Sequence, residues 1–573
     1  MAFPVNINGH TYQQADFEGY QVFSTLPNVL NDMEVTANKA ESAKTAAQAA
    51  VASLPAGTVL NSLTVTIDPA ASEVTGVSYQ NLNNALTWLA DKRIKAGATV
   101  TLSCVAGTHT YSSAVTIDHP DGDRISIVGA AAYVSAGAIT LTRSTSAPGY
   151  GGASSEANCV LTASAPIFST AYYTGATGTI TGVNATTDVL SVSGGHNLKV
   201  NQLIVFAGTV PAGITAGTEY VVLPDSFTGT DFKVSLTMYG TPIDITDTTT
   251  GATYTERIMG QGTDTAPGVG DVLALSNGSN PVIIAVRSST VVEVAYNVGA
   301  DGLTFSYLCL AKTVLNFTSG GLLVSTKLGG LHALTLRGAG KLNANTYYGV
   351  LLDHGAKLWN IYNSVKIENF YQSGISGQIG SDLLLERVSV VNCGSGTFLH
   401  HQAKQYISYF LVAGVSNYGV SNNGDFYANR MDIRHAGAIQ SVRGENRSST
   451  KTGALCRIVN GGSDGAYFDG SQATLNGLIV RHCNGSGLYT AYVATVHAGG
   501  ALYDGNRGHG LYAVEQANVF TWYSTFTNNG SYGLYATNNT RVNAGAMTAS
   551  GNVSGTSTPA VNTYGNGNAY IQG

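Results

Sequence analysis

The sequence predicts an all-β protein whose main body is a right-handed parallel β-helix with coils of about 23 residues. The tripeptide Gly-Leu-Tyr occurs three times, beginning at Gly487, Gly510 and Gly533, at two intervals of 23 residues. Glycine makes up 69 of the 573 residues, about 12% against a usual share of about 7%, and charged residues make up only 11%. A fixed period rich in glycine is typical of a stack of similar coils with short strands.

Glycines at the start of short alternating runs mark the repeat along the second half of the chain. The markers are Gly349, Gly374, Gly396, Gly419, Gly465, Gly487, Gly510 and Gly533. Their steps are 25, 22, 23, 46, 22, 23 and 23, so the step of 46 equals two coils, with Gly437 marking a turn out of register inside it. Runs such as RVSVVNCGSGTFLH have strand periodicity, which predicts about three short strands in each coil.

Alternation along each strand also predicts which side chains point outward. The residue after each marker points into the core, at Val350, Ile375, Val420, Leu488, Leu511 and Leu534. The next residue points outward, which gives Leu351, Ser376, Phe398, Ser421 and a ladder of tyrosines at Tyr467, Tyr489, Tyr512 and Tyr535. On the strand before the marker, the predicted outward residues are Lys366, Glu368, Asp432, Arg434, Arg457 and Arg481. Asparagines at a bend predict stacked amide ladders, at Asn369, Asn392, Asn460 and Asn528.

A coiled coil is expected before the β-helix. The segment LPNVLNDMEVTANKAESAKTAAQAAVASLPAG predicts one helix between Pro27 and Pro55, with an Ala-rich seam of about three heptads. We favour a coiled coil over a helix packed on its own domain, which makes the protein an oligomer. The predicted segments are 1–26 at the N-terminus, 27–56 as the coiled coil, 57–164 as a capping helix with the first coils, 165–262 as a small all-β insertion, 263–550 as the main β-helix and 551–573 as a C-terminal tail.

Several classes of protein are not expected. A net charge of -6 gives no basic surface for nucleic acid. The six cysteines lie far apart without a CxxC pair, which favours buried thiols over a zinc site. The run IDHPDGDR has the signature of a turn rather than of a metal cluster, so neither a metal nor another cofactor is predicted. No apolar run reaches membrane-spanning length, and the N-terminus has no signal-peptide pattern.

This combination of an N-terminal segment (NINGHTYQQADFEGY), an Ala-rich coiled coil, a capping helix and a Gly/Asn-punctuated β-helix resembles bacteriophage tailspike and tail-fibre proteins with a pectate-lyase-like fold. The resemblance implies a homotrimer, attached to a phage tail or baseplate protein through its N-terminus, that binds host surface polysaccharide. It also implies a place in the virion tail and release by host lysis. Because NTYGNGNAYIQG follows soon after the last predicted coils, we do not expect the long C-terminal domain that the resemblance to larger tailspikes would imply.

The predicted catalytic residues surround SVRGENRSSTKTGALCR, the longest departure from the coil rhythm. We interpret this stretch as a loop forming a wall of the site, flanked by outward carboxylates. The catalytic candidates are Asp432, Glu445 and Asp469, and the substrate-binding candidates are Arg434, His400, Tyr467, Tyr489, Tyr512 and Arg481. Three alternatives stay open: an ion pair between Asp432 and Arg457, a second outward group of Asp353, His354 and Glu368, and burial of the tyrosine ladder in a trimer interface.

The predicted function is that of a phage tailspike which binds and depolymerises host capsule, exopolysaccharide or O-antigen. Hydrolysis of a glycosidic bond needs a proton donor and a second carboxylate. A lyase would instead need a base and a group that neutralises a uronate, for which His400, His401, Arg434 and Arg481 are available. The rival predictions are a receptor-binding fibre without enzymatic activity and a structural baseplate or adhesin-like β-solenoid.

Overall fold

The computed structural model describes two compact units, residues 1–102 and 103–573. The described residues are 5–7, 10–12, 35, 37–39, 41–42, 57–135, 141–144, 159–236, 240–263, 266–273, 275–294, 298, 304–305, 307–311, 313–436, 440–445, 448–452, 456–553, 563–566 and 570–572. In this part of the chain no helix is long and apolar enough to cross a membrane.

The first unit contains short strands and one described helix of regular length. Its N-terminal strands pair as an antiparallel hairpin. Asn81 caps the helix by accepting a hydrogen bond from the Asn84 backbone at 3.0 Å. The strands up to the unit boundary and the helix are Val5–Ile7, His10–Tyr12, Val59–Leu60, Leu63–Ile67, Ser78–Tyr79, Leu82–Leu89 (the helix), Arg93–Ile94 and Val100–Cys104. Within the predicted coiled coil, residues 35, 37–39 and 41–42 are helical, and the rest of 27–56 lies outside the described residues.

The second unit is a parallel β-helix, in agreement with the predicted fold class. Each coil contributes to three sheets, which we call sheet 1, sheet 2 and sheet 3 in chain order. Sheet 3 has twelve strands, each paired in parallel with the next coil. They are Val115–Ile117, Leu322–Val324, Tyr348–Leu352, Ser373–Gly377, Thr397–Leu399, Val420–Asn422, Val442–Gly444, Ala466–Asp469, Leu488–Ala491, Leu511–Ala513, Leu534–Thr537 and Thr563–Asn566.

Sheets 1 and 2 are joined in the middle coils and separate towards the C-terminus. Five long strands run through both: Gly330–Arg337, Lys357–Glu368, Asp382–Val391, Lys404–Ala413 and Asp425–Arg434. The remaining strands of sheet 1 are Ile125–Val128, Lys327–Leu328, Ser449–Thr452, Gln472–Thr474, Thr495–His497, Asn518–Phe520, Arg541–Asn543 and Tyr570–Gln572. Those of sheet 2 are Gly107–Tyr111, Thr313–Phe317, Arg457–Val459, Ile479–Arg481, Leu502–Asp504, Thr525–Thr527 and Thr548–Ser550.

The core and the corners follow the predicted pattern. The predicted inward residues are buried, as Val350, Leu488 and Leu511 illustrate with no exposed surface. The corner between sheets 2 and 3 has a left-handed backbone in the coils from Asn369 onwards, a conformation that Gly, Asn and His adopt more readily than other residues. Positive φ angles recur there at Asn369, Asn392, Gly414, His435, Asn460, His482, Gly505, Asn528 and Gly551. The predicted amide ladder is present where Asn392 donates to the Asn369 side chain at 2.8 Å.

The inserted region is larger than the sequence indicates. The chain leaves the β-helix after Ile125–Val128 and returns at Thr313–Phe317, so the insertion exceeds the predicted 165–262. The described strands between 263 and 311 belong to the inserted sheets rather than to the main coils. It forms a seven-stranded and a five-stranded antiparallel sheet and one further strand pair. Its strands are Ala131–Ser135, Leu141–Ser144, Cys159–Ala163, Tyr172–Thr179, Gly182–Asn184, Val189–Ser191, Leu203–Ala207, Glu219–Leu223, Asp231–Ser235, Thr253–Met259, Ile283–Val286, Val291–Val294, Thr304–Phe305 and Tyr307–Ala311.

The insertion packs against the outer face of sheet 2. One of its cores includes Val391, Leu411 and Ala413, which point out of the coils of the β-helix. The outward side chains of sheet 2 are therefore buried in the middle coils. Alternation along a strand predicts which side chains point away from the core of their own coil. It does not predict whether a second sheet packs over those side chains, as the insertion does here.

The described residues of the stretch predicted as a loop supply one strand to each of the three sheets. Val442 pairs in register with Val420 on one side and with Ala466 on the other. The rest of the stretch supplies Ser449–Thr452 to sheet 1 and Arg457–Val459 to sheet 2. The marker position of this coil is Ser441 rather than a glycine, and this substitution hides the repeat in the sequence. The run IDHPDGDR, in turn, contains the 3₁₀ turn Gly122–Arg124.

Candidate functional site

The outer column of sheet 3 carries the predicted tyrosine ladder. Tyr467, Tyr489, Tyr512 and Tyr535 pair coil by coil in one register. The ring centroids of Tyr467 and Tyr489 are 5.0 Å apart and the rings stack at 13°. The following pairs lie 5.0 and 5.1 Å apart in edge-to-face arrangements, at 88° and 70°. All four rings are half-buried. The column is a continuous strip of partly exposed aromatic surface.

Two predicted catalytic carboxylates lie at the edge of this ladder. Glu445 directly follows Val442–Gly444, and Asp469 ends the strand Ala466–Asp469. Because Gly444 pairs with Phe468, the next residues of the two strands occupy equivalent positions on adjacent coils. Parallel main chains lie about 4.8 Å apart. The structure therefore brings Glu445 and Asp469 together, beside Tyr467.

Arg443 organises one end of this site. Its guanidinium donates to the Glu445 carboxylate and to the Tyr418 hydroxyl, and its carbon centre lies 5.3 Å from the Tyr418 ring. Because Val442–Gly444 is a strand of sheet 3, Arg443 stands in the outer column in register with Tyr467. The ladder thus begins with a cation that is already paired with a carboxylate.

Burial and two neighbouring negative charges raise the pKa of the Asp469 carboxyl group. Burial is the largest cause, and the negative charges of Glu445 and Glu515 add to it. Arg443 and a hydrogen bond donated by Tyr467 act in the opposite direction. Glu515, in the turn after Leu511–Ala513, accepts a hydrogen bond from the Tyr492 hydroxyl. A carboxyl group that keeps its proton at higher pH is suited to act as an acid.

A further carboxyl group lies at the other end of the same strand. Asp464 precedes Ala466–Asp469, and burial raises its pKa to about 6, although it accepts a 2.6 Å hydrogen bond from the Ser486 backbone. Burial also raises the pKa values of Tyr467 and Tyr489 to about 12. The hydroxyls of these two tyrosines therefore stay protonated and able to donate hydrogen bonds at neutral pH.

The third predicted catalytic residue, Asp432, lies elsewhere and is buried under the insertion. Its carboxylate is 2.8 Å from Arg457 on the next coil and 2.7 Å from Arg434 on its own strand. Arg434 also lies 3.6 Å from Glu293, an inserted residue that pairs with Arg287 at 2.6 Å. The structure thus gives Asp432 the ion pair with Arg457 that the sequence left open as an alternative, and Arg434 joins the same pair. It does not bring them together with Glu445 and Asp469.

The remaining predicted residues are also separate. Arg481 pairs with Asp504 on the next coil of sheet 2 at 3.3 Å. His400 follows the strand Thr397–Leu399, with its ring 4.9 Å from Phe398, and burial lowers its pKa. The alternative group of Asp353, His354 and Glu368 is also not brought together. Glu368 is fully buried between Arg337 and the hydroxyl of Tyr173, whereas Asp353 and His354 form an exposed pair at 2.8 Å.

Sequence reasoning missed three parts of the site. Tyr418, Tyr492 and Glu515 lie in turns, where alternation along a strand gives no information. Arg443 lies within the stretch that the sequence predicts as a loop, because Ser441 replaces the marker glycine of that coil. In the described part of the chain, no group of three or more His, Cys, Asp or Glu residues is arranged to hold a metal ion.

No protein-family model and no curated protein matches the chain. Solved structures match it at low identity. A periplasmic alginate epimerase is 12% identical with a TM-score of 0.28, over 46% of this chain and 73% of that one. The catalytic unit of an α-1,3-glucanase from Streptomyces thermodiastaticus is 12% identical with a TM-score of 0.25, over 78% and 97%.

The tailspike of Acinetobacter baumannii bacteriophage AP22, solved with a capsular saccharide, is 10% identical with a TM-score of 0.26, over 81% of this chain and 74% of that one. The chain is similar to each of these proteins, but the TM-scores of 0.25–0.28 are too low for an argument from their structures. The assignment of a parallel β-solenoid therefore depends on the strand pairings described above.

Proposed function

We propose that the chain is a polysaccharide depolymerase that hydrolyses glycosidic bonds at Glu445 and Asp469. The observation that carries the proposal is the position of these two carboxylates on adjacent coils, beside a ladder of aromatic rings. Glycosidases need two carboxyl groups of different protonation flanking the bond that is cleaved. The raised pKa of Asp469 and the pairing of Glu445 with Arg443 support that division of roles.

In the proposed reaction, the Asp469 carboxyl group protonates the glycosidic oxygen as the leaving sugar departs. The Glu445 carboxylate attacks the anomeric carbon and forms a glycosyl ester. Asp469, now ionised, removes a proton from water, which attacks the anomeric carbon and releases Glu445. The coil spacing of about 4.8 Å is close to the carboxyl separation of about 5–5.5 Å in retaining enzymes. We therefore propose that cleavage retains the anomeric configuration of the sugar.

The tyrosine ladder is the proposed binding surface for the polymer. Rings of this kind offer a flat apolar face with a hydroxyl at the edge, which suits the apolar face and the hydroxyl groups of a sugar ring. The ladder runs from Tyr467 to Tyr535, with one ring in every coil. Such a strip can contact several consecutive sugars of one chain, with the carboxylate pair at its end.

The proposal extends to a phage tailspike. The Ala-rich heptads in 27–56 support a homotrimer, and residues 1–26 would attach it to a tail or baseplate protein, as the resemblance implies. The host glycan would then be capsule, exopolysaccharide or O-antigen. Sedimentation of the full chain tests the oligomeric state, since a trimer has three times the mass of the 59.3 kDa chain.

The experiment is to incubate the purified chain with bacterial capsular and O-antigen polysaccharides and follow new reducing ends. Ultraviolet absorbance of unsaturated sugars is followed in parallel. Wild type should release reducing ends without that absorbance, and Asp469→Asn should lose about 10²- to 10⁴-fold in rate, as expected for removal of a general acid. Asp123→Asn, an exposed aspartate in the 3₁₀ turn, is the matched control.

The alternatives predict different outcomes. Reducing ends accompanied by unsaturated sugars would indicate a lyase and contradict the roles given to Glu445 and Asp469. Binding without any product would leave a receptor-binding fibre. Neither binding nor product would support a structural β-solenoid, in which the tyrosine ladder contacts another chain.

A further inference from the structure

A second strip of exposed apolar side chains lies on sheet 1, on a different face from the tyrosine ladder. It consists of Trp359, Leu384, Tyr406 and Tyr427 on four successive coils. The last three share one register, and Trp359 lies at a register shift beside the Leu358–Leu383 pair. Each of them has 40–48% of its surface exposed. Large apolar side chains are usually exposed singly, so a row of four marks a contact surface.

A cleft lies at one end of this strip. It has a volume of about 290 Å³ and is lined by Gln405, Tyr406, Asp425, Phe426, Tyr427 and Ser449. The ring centroids of Tyr406 and Tyr427 are 6.3 Å apart, and the rings are tilted by 43°. The cleft therefore combines two aromatic faces with the carboxylate of Asp425 and the hydroxyl of Ser449. It is slightly smaller than the pockets of about 300–1,000 Å³ that hold drug-sized ligands.

The charges beside the strip alternate in sign. Lys357, Asp382, Lys404 and Asp425 pair in one register on successive coils. The ammonium group of Lys357 also lies 5.1 Å from the centre of the Trp359 ring. Opposite charges about 4.8 Å apart cancel at a distance. These four charges therefore sum to zero, and the polar groups beside the strip offer local hydrogen bonds.

We propose that this strip, which we call the sheet 1 groove, is a second saccharide-binding surface that takes uncharged sugar rings of the same polymer. Aromatic faces would stack on the sugar rings, and Asp425 and Ser449 would bond to hydroxyl groups. The sheet 1 groove would retain the polymer while the carboxylates on sheet 3 cleave it. The proposal rests on the proposed function only in taking bacterial polysaccharide as the polymer.

The test compares binding and cleavage in separate variants of the full chain. The double variant Tyr406→Ala/Tyr427→Ala removes both rings of the cleft. As the matched control, Tyr523→Ala removes an exposed tyrosine from a turn outside the strip. The probes are immobilised bacterial capsular and O-antigen polysaccharides, both neutral and uronate-containing. Thermal midpoints of all variants show that folding is intact.

We expect the double variant to bind the retained neutral polysaccharide about tenfold or more weakly, because two aromatic contacts are lost. Its rate on short soluble oligosaccharides should be unchanged, and Tyr523→Ala should behave as wild type. A change in Trp359 fluorescence on binding, absent in Trp359→Phe, would place the sugar on the same strip.

Each other outcome decides against a stated part of the proposal. Unchanged binding by the double variant overturns the groove and leaves the proposed function intact. Groove-dependent binding without product supports the groove and contradicts the hydrolase. No binding of any polysaccharide by wild type overturns both. A changed sedimentation coefficient in the double variant would show that a second copy of the chain covers this surface, which also overturns the groove.

Discussion

The Asp432 carboxylate lies 2.8 Å from the Arg457 guanidinium of the next coil, beneath the inserted sheets. Both side chains are almost fully buried, and Arg434 binds the same carboxylate at 2.7 Å. Removing one partner of a buried pair leaves the other charge buried without compensation, which costs more than the pair contributes. This geometry assigns Asp432 to holding the insertion on the β-helix.

Asp432→Ala is therefore expected to lower the free energy of unfolding by about 3–5 kcal/mol. Product release per folded molecule should stay at the wild-type rate, since Asp432 is separate from Glu445 and Asp469. Thermal unfolding and reducing-end assays on the same preparation measure both quantities. Asp123→Ala, at an exposed position, is expected to change stability by less than about 0.5 kcal/mol. An Asp432→Ala variant that is as stable as wild type but inactive would contradict this structural role and indicate that Asp432 is catalytic.

The repeat could be read from the sequence because its glycines are required by packing. A Cβ atom at Gly487 would lie 2.7 Å from the carbonyl oxygen of Gly510, and one at Gly510 would lie 2.5 Å from that of Gly533. A side chain does not fit at Gly487 or Gly510, so the marker recurs in these coils. At the marker position before Val442 the residue is Ser441 instead of glycine, although the strand keeps its register with both neighbouring coils. The sequence pattern therefore predicts a loop where the structure has a coil.

The site could be predicted only in part. Period-two alternation located the tyrosine ladder, and the carboxylates at its edge follow from the same register. The burial of Asp432, Arg434 and Glu368 depends on how the insertion packs, which local periodicity does not encode. Glu515 and Tyr418 reach the site from turns, whose side-chain directions depend on the backbone of the whole stack.

A partly buried histidine makes the stability of the fold depend on pH. Burial is the largest cause that lowers the pKa of His435 from 6.5 to about 4, and the positive charges of Arg434 and Arg287 act in the same direction. The unfolded chain therefore binds this proton at higher pH than the folded chain. The stabilisation is complete above about pH 6.5 and is lost as pH falls towards 4, by a total on the order of 3 kcal/mol.

The variant His435→Asn is expected to remove this part of the pH dependence. The position has a φ of 50°, and the chain itself uses asparagine at the same corner in Asn392 and Asn460. Asparagine tolerates this backbone, so little strain is introduced. Unfolding free energies measured from pH 4 to 7 should give a flatter curve than wild type. Parallel curves for the two proteins would contradict the prediction.

A fully buried ladder of asparagines stabilises the C-terminal coils. The Asn529 side chain donates to Asn552 at 2.9 Å and to the Tyr503 carbonyl at 3.1 Å, and it accepts from Asn506 at 3.0 Å. Asn529→Ala leaves several of these groups unpaired and should destabilise by about 1–3 kcal/mol for each unsatisfied group. Hydrogen exchange of the last coils measures the loss. Asn539→Gly, at an exposed left-handed position, should have almost no effect.

The pH dependence of cleavage tests which group is the acid. A general acid works while protonated, so the rate should fall as pH rises through the raised pKa of Asp469. Glu515 contributes to that raised pKa through its negative charge, and it is not one of the two reacting groups. Glu515→Gln removes the charge and keeps an acceptor for the Tyr492 hydroxyl. We expect the basic limb of kcat/KM to move to lower pH, with the maximal rate retained.

Glu386→Gln, a change of the same size beside Arg387, should leave the basic limb at its wild-type pH. A basic limb that does not move in Glu515→Gln would exclude Asp469 as the proton donor.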